Sequence, residues 1–220
     1  MTDLPMLDGP AVPPLSGGKP RQLVVLLHGL RSNGDDLIGL APQWREGLPD
    51  ALWMSPNAVQ ACADTPGGYQ WWDVTSFSLD ERAAGARAAA PALNAFLDAQ
   101  LERHGIPDDK LVLVGFSQGS MMALQVALRR PRQLAGVLAY SGQLVDPAST
   151  AREINARPPV TLVHGDRDPV VHAGWMFYSA GALEALGVPL EYHLRPGLQH
   201  GIDPGGVQIG RDFIRRVLAD

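Results

Sequence analysis

Apolar residues fall into short continuous runs, separated by longer stretches in which they recur at helical spacing. The run QLVVLLHG, starting at Gln22, shows no polar alternation and is rich in β-branched residues. That pattern predicts a strand buried on both faces. Similar runs at residues 52–55, 111–115, 134–141, 160–164 and 189–194 predict further strands. Residues 80–104 (DERAAGARAAAPALNAFLDAQLERH) are alanine-rich with apolar positions at helical spacing, and predict a helix that Pro91 should kink or split in two. Residues 120–130, 172–186 and 206–218 also read as helices, with Gly187 where a C-capping glycine belongs. Residues 1–20, rich in Pro and Gly, read as an extended arm or a weak edge hairpin. The Pro/Gly-rich stretches 56–70 and 195–206 read as loops at the sheet edge.

Strands alternating with helices predict an α/β fold, a mostly parallel sheet covered by helices on both faces. No internal repeat or linker interrupts the pattern, and 220 residues suit one domain spanning 1–220.

One junction departs from the usual strand–loop–helix rhythm. In LVLVGFSQGSMMALQVALRR (residues 111–130) the strand runs into a helix through Gly-Phe-Ser-Gln-Gly, with no loop between. So tight a turn strains the backbone of its apex residue and needs small neighbours two positions away, where strand and helix nearly touch. Gly115 and Gly119 sit at those offsets from Ser117. The turn lifts the serine Oγ above the strand ends, as in a nucleophile elbow. A serine hydroxyl needs a base within hydrogen-bond reach. On this architecture the acid and then the histidine follow the serine in chain order. HGDRDPVV follows the strand at 160–164, and RPGLQHGID follows the strand at 189–194, so Asp168 and His200 are the candidate acid and base. Asp166 is the rival acid. It follows Gly165 and is better placed to brace the turn through backbone bonds, whereas Asp168 starts the departing segment and is free to point back to the cleft. Of the other histidines, His164 ends a strand and reads as structural, His104 as a solvated helix end, His193 falls inside a strand and His172 opens a helix. For the developing oxyanion, the backbone amides of Gln118 and of Leu30, just after His28-Gly29, are the candidate donors. His28 itself reads as a loop brace, because it precedes the serine.

Composition narrows the setting. Charged residues make up 19% with a formal net charge of −5, and no basic run exists to track nucleic acid. Cys62 is the only cysteine, so no intrachain disulfide can form. The N-terminus carries acids and prolines where a signal peptide needs bases and an apolar block, and no run approaches the length of a membrane span. The expectation is a soluble, cytoplasmic protein without stable membrane insertion, either monomer or homodimer.

Together, LVVLLHGLRSNGDDLIGLAPQW, GFSQGSMMAL, HGDRDPVV and LQHGI resemble the phospholipase/carboxylesterase family, which has the α/β-hydrolase fold and includes acyl-protein thioesterases and small bacterial carboxylesterases. The resemblance runs from about residue 7 to the C-terminus. It implies a Ser-His-Asp hydrolase without metal or organic cofactor, and carries the nucleophile to Ser117, the acid to Asp168, the base to His200 and the oxyanion amides to Leu30 and Gln118. Two departures stand out. GGYQWWD places Tyr69 where many members have arginine, and Arg31 stands where some thioesterases have the last glycine of His-Gly-Leu-Gly. Both fall on the substrate side.

The expected activity is hydrolysis of short- to medium-chain carboxylic esters, with thioesters as a variant, through an acyl-serine intermediate. The alternatives are a non-catalytic binding protein of the same fold and a dienelactone- or peptidase-type hydrolase. Trp71, Trp72, Phe77, Met121, Leu144, Trp175 and Phe177 lie near the strand ends and are candidates to line an acyl pocket. Trp71 and Trp72 together are expected to form its wall. No block between Tyr140 and Val160 is long enough for a large lid.

Overall fold

The computed structural model describes residues 6–219, so the first five residues of the expected N-terminal arm lie outside it. The strands are β1 (Ala11–Val12), β2 (Gln22–Leu27), β3 (Ala51–Met54), β4 (Gln60–Ala61), β5 (Tyr69–Gln70), β6 (Leu111–Phe116), β7 (Gly136–Tyr140), β8 (Val160–Gly165) and β9 (Leu190–Arg195). The α-helices are α1 (Gly34–Ile38), α2 (Ala41–Trp44), α3 (Leu79–His104), α4 (Gln118–Ala127), α5 (Pro147–Glu153), α6 (Gly174–Ala185) and α7 (Pro204–Leu218). A seven-stranded sheet has the order β1-β3-β2-β6-β7-β8-β9. All neighbours are parallel except β1, which pairs antiparallel with β3 at one edge. The arm thus supplies an edge strand, not a hairpin. The stretch 56–70, expected to be all loop, holds the separate antiparallel pair β4–β5.

The continuous apolar runs are explained by two cores. Leu23, Val25 and Leu27 of β2 face a cluster built with α3, α4 and α6. Val24 and Leu26, pointing the other way, join Leu37, Trp44, Phe213 and Ile214 from α1, α2 and α7. Each fully buried aliphatic side chain contributes about 1.5–3 kcal/mol relative to exposure.

α3 runs through Pro91 as one helix, not the two that a split would give. Pro91 and Arg87, whose carbonyl would have accepted the missing amide, both lie on the exposed side, where the freed carbonyl is open to solvent. Ser78 caps the helix by accepting from the Glu81 amide at 3.1 Å, and Gly105 ends it in the left-handed region at φ +65°. Between Tyr140 and Val160 only α5 is formed, capped by Asp146.

Strand order reverses beside β2. The chain steps outward to β3, then returns through α3 to β6 on the other side of β2. Loops leaving β2 and β6 therefore diverge and open a crevice at their carboxyl ends. There the elbow is as tight as two glycines permit. A Cβ on Gly115 would lie 2.4 Å from the Gly119 carbonyl oxygen, and one on Gly119 would lie 1.9 Å from that of Leu27. Gly119→Ala should therefore cost about 3 kcal/mol or more, because backbone and not a side chain must move. Urea unfolding followed by tryptophan fluorescence measures it.

Candidate active site

Ser117 sits at the apex of the turn from β6 to α4 with φ +54° and ψ −116°, a conformation L residues rarely adopt. Its amide donates to the Tyr140 carbonyl at 2.9 Å, tying the turn to β7. Ser117 Oγ lies 3.0 Å from His200 Nε2, and His200 Nδ1 lies 2.7 Å from Asp168 Oδ2. The Phe116 ring packs against the imidazole at a centroid distance of 4.9 Å. Three side chains from three strand ends thus form one hydrogen-bonded line.

Asp168 is buried and fully engaged. Its Oδ1 accepts from the amides of Val170 and Val171 at 2.8 and 2.9 Å. His164, buried at the end of β8, brings Nε2 within 2.7 Å of the Val171 carbonyl and 3.2 Å of Asp168 Oδ2. It belongs to the polar shell around the candidate acid, a role its place at a strand end did not reveal. Burial pulls the His164 pKa below that of a free imidazole, which favours a neutral donor there. Asp166 accepts the Gly197 amide at 2.6 Å and braces the loop that carries His200. Asp203 closes the same loop. It caps α7 through the Gly206 amide and pairs with Arg195 at 2.9 Å.

Leu30 and Gln118, whose amides are the candidate oxyanion donors, both line the cavity over Ser117. Neither donates to a protein acceptor among the described residues. A neutral framework holds them. His28 is fully buried, its Nε2 accepts the Ala58 amide at 3.0 Å, and its Nδ1 meets the Gly29 carbonyl at 2.7 Å. Burial lowers its pKa, consistent with a neutral ring that donates through one nitrogen and accepts through the other. The Gln118 side chain accepts from the Trp71 amide at 2.8 Å and donates to the Trp72 carbonyl at 3.0 Å.

The cavity measures about 220 Å³ and is mainly apolar. Trp72, Phe77 and Met121 line it as expected, joined by Val74, Arg82, Val170 and Val171. Four candidates do not. Trp71 turns inward and its indole N–H donates to the His28 carbonyl at 3.1 Å, so it braces the loop and walls nothing. Leu144 is core. Trp175 packs partly buried against that core, edge-on to Tyr178, and Phe177 stacks edge-on against Tyr192 outside the cavity. Among the described residues, no three His, Cys, Asp or Glu side chains are grouped to hold a metal ion, and no helix is long and apolar enough to cross a membrane.

The phospholipase/carboxylesterase model matches residues 14–218, nearly the whole chain. The chain belongs to the phospholipase/carboxylesterase family. Its architecture is the α/β-hydrolase fold of that family, without an added domain. Esterase YpfH of Escherichia coli is 29% identical over 201 residues, covering 90% of this chain and 84% of its own. Acyl-protein thioesterase 1 of Schizosaccharomyces pombe is 32% identical over 157 residues, 67% of this chain and 69% of its own. The crystal structure of esterase PE8 superposes with a TM-score of 0.93 at 40% identity, covering 97% of this chain and 100% of that one.

The two departures from the family pattern meet in space. Arg31 takes φ +65°, the left-handed region a glycine would occupy freely. Its amide donates to the Tyr69 carbonyl at 2.9 Å, and the Tyr69 amide donates to Ser32 at 2.7 Å. Arg31 also reaches Asp64 at 2.5 Å, strapping the segment before β5 to the cavity rim.

The two tryptophans separate bracing from lining. Trp72→Ala should shift the acyl-length optimum of ester hydrolysis, while Trp71→Ala should lower kcat at every length without moving the optimum. Steady-state kinetics on graded nitrophenyl esters distinguish these outcomes. A second measurement concerns Asp203, whose carboxyl Arg195 holds below the usual carboxylate range. A depressed folded-state pKa contributes stability above the unfolded value and loses it as pH falls. Asparagine also caps helices, so Asp203→Asn isolates the ion pair. Wild type should exceed the variant by less than about 1 kcal/mol at pH 7, with the gap closing as the pH falls below that of an ordinary carboxylate. Urea titrations across that range read it.

Proposed function

We propose that Ser117, His200 and Asp168 hydrolyse short- to medium-chain carboxylic esters, and thioesters by the same route, through an acyl-serine intermediate. The observation that carries this reading is the unbroken line from Ser117 Oγ through His200 to Asp168 beneath an apolar cavity. His200 Nε2 takes the hydroxyl proton as Oγ attacks the carbonyl carbon. The negative oxygen that forms bonds to the amides of Leu30 and Gln118. Such donors are each worth about 3–4 kcal/mol of barrier. His200 then gives its proton to the departing alcohol or thiol. Water repeats the sequence on the acyl-serine, with His200 again as base, and the acid leaves. Asp168 holds the imidazole so that Nε2 faces the serine, and stabilises the imidazolium.

The elbow geometry supports the reading, since the tight turn from β6 to α4 that holds Ser117 at φ +54° also lifts its hydroxyl to the cavity. The names of the esterase and thioesterase relatives agree with it. A single buried cysteine accords with a cytoplasmic enzyme.

Labelling with a fluorophosphonate tests it directly. Wild type should be labelled at Ser117, and Ser117→Ala should lose both labelling and nitrophenyl ester hydrolysis, the latter by about 10⁴-fold or more. Labelling that survives in Ser117→Ala would place the nucleophile elsewhere.

A further inference from the structure

One cation in the cavity has no carboxylate in ion-pair contact among the described residues. Arg82, on the first turn of α3, lines the cavity with Trp72, Phe77 and Met121. Its Nη1 donates to Gln143 Oε1 at 2.7 Å. No carboxylate of the described residues lies within ion-pair distance of it. The adjacent Glu81 commits its oxygens to the amides of Thr75, Ser76 and Phe77 and to the Thr75 hydroxyl. Several other arginines do have such a partner. Arg31, also at the cavity, pairs with Asp64, and Arg87, Arg129, Arg130 and Arg195 all reach carboxylates. Asp36 is the one carboxylate lining the cavity among the described residues. It is exposed, accepts from the Ser32 hydroxyl, and is shared with a neighbouring hollow that Arg82 does not line.

Partial burial disfavours the charged guanidinium and lowers its pKa. An unpaired, half-desolvated charge is costly, and an acid at position 143 would offset it. The chain has the neutral amide instead. Gln143 is 1% exposed, and its Nε2 has no hydrogen-bond partner. Its oxygen is thus turned to Arg82 while its own donor goes unsatisfied. The arrangement positions the guanidinium and leaves it without an ion-pair partner.

Resting on the serine-hydrolase reading, we propose that Arg82 selects esters whose acyl group ends in a free carboxylate, the monoesters of short dicarboxylic acids. The leaving oxygen must receive a proton from His200, so the alcohol departs on that side, toward the hollow lined by Phe116, Gly201 and Ile202. The acyl chain then runs the other way, along Trp72 and Met121 to Arg82. There the planar guanidinium offers its remaining N–H groups to a carboxylate. Hydrolysis adds water across the ester bond and releases a dicarboxylate and an alcohol.

The test compares monoethyl esters of butanedioic, pentanedioic and hexanedioic acids with ethyl butanoate, pentanoate and hexanoate, using the purified full chain and chromatographic detection of product. Wild type should favour the acidic ester of at least one length by about 10- to 100-fold in kcat/KM. Arg82→Met should abolish that preference, mainly through KM, by costing the acidic esters at least about tenfold more than the neutral ones. Gln143→Glu should abolish it too, because it keeps the hydrogen bond and adds the missing acid. It serves alone if Arg82→Met does not fold. No preference in an enzyme that is labelled by fluorophosphonate and cleaves neutral esters would overturn the proposal. So would a preference that survives Arg82→Met, an equal loss on both substrate sets, or a preference for a carboxylate on the alcohol half. Absence of labelling and of all hydrolysis would instead sink the serine-hydrolase reading itself.

Discussion

α4 begins in contact with the sheet, so close that one methyl group at Gly119 would overlap the carbonyl of Leu27. Much else follows from that approach. The chain has no room for a loop between β6 and α4, so Ser117 must absorb the reversal in its own backbone angles. The amide of Gln118 becomes the first of a helix and is left without an intrahelical acceptor. The strand that α4 touches, β2, delivers Gly29 and Leu30 to the same spot. A Cβ on Gly29 would lie 3.3 Å from that of Ser117. Backbone strain, free amides and a projecting hydroxyl are therefore one structural event, sustained by two cores large enough to outweigh its cost.

Polar groups around this point are sorted by charge. In the interior the bracing is neutral: His28 holds the loop after β2, and Gln118 clamps the backbone of Trp71 and Trp72. Neutral hydrogen bonds position a group without adding a field that would compete with a developing oxyanion. Ion pairs stay at the margins, as with Arg31–Asp64 and Arg195–Asp203, where water moderates them. Asp168 is the exception, a carboxylate at the centre, and its surroundings offer two amides and two imidazoles.

Strands β2, β6, β7 and β8 were legible because strands buried on both faces read as unbroken apolar runs, which needed no assignment of inner and outer positions. Ser117 was legible because only a backbone collision explains glycines at both offsets, and His200 because it follows the last strand in a loop. Other features turn on relations that one position does not carry. Trp71 and Trp72 are neighbours, and only the orientation of each indole makes one a brace and the other a wall. Pro91 looked like a break, yet it lies on the face of α3 where water can satisfy the freed carbonyl. The seven residues of α5 and the two-residue strands β4 and β5 were too short for any period to emerge. Arg82 carries no signal of its own in an alanine-rich helical stretch. Its isolation becomes visible only with Gln143, 61 positions away, beside it.

Leu27 pairs with Gly115 in the sheet, one residue short of His28 on one strand and two short of Ser117 on the other. Alignment of the hydroxyl with the Leu30 amide is thereby inherited from strand register and not from any flexible connection. Segments such as β4–β5, strapped to the cavity rim through Arg31 and Asp64, lie outside that register. Descendants of such a scaffold are free to lengthen, shorten or recompose those segments while the reactive centre keeps its alignment, so new selectivities arise without reinventing the chemistry.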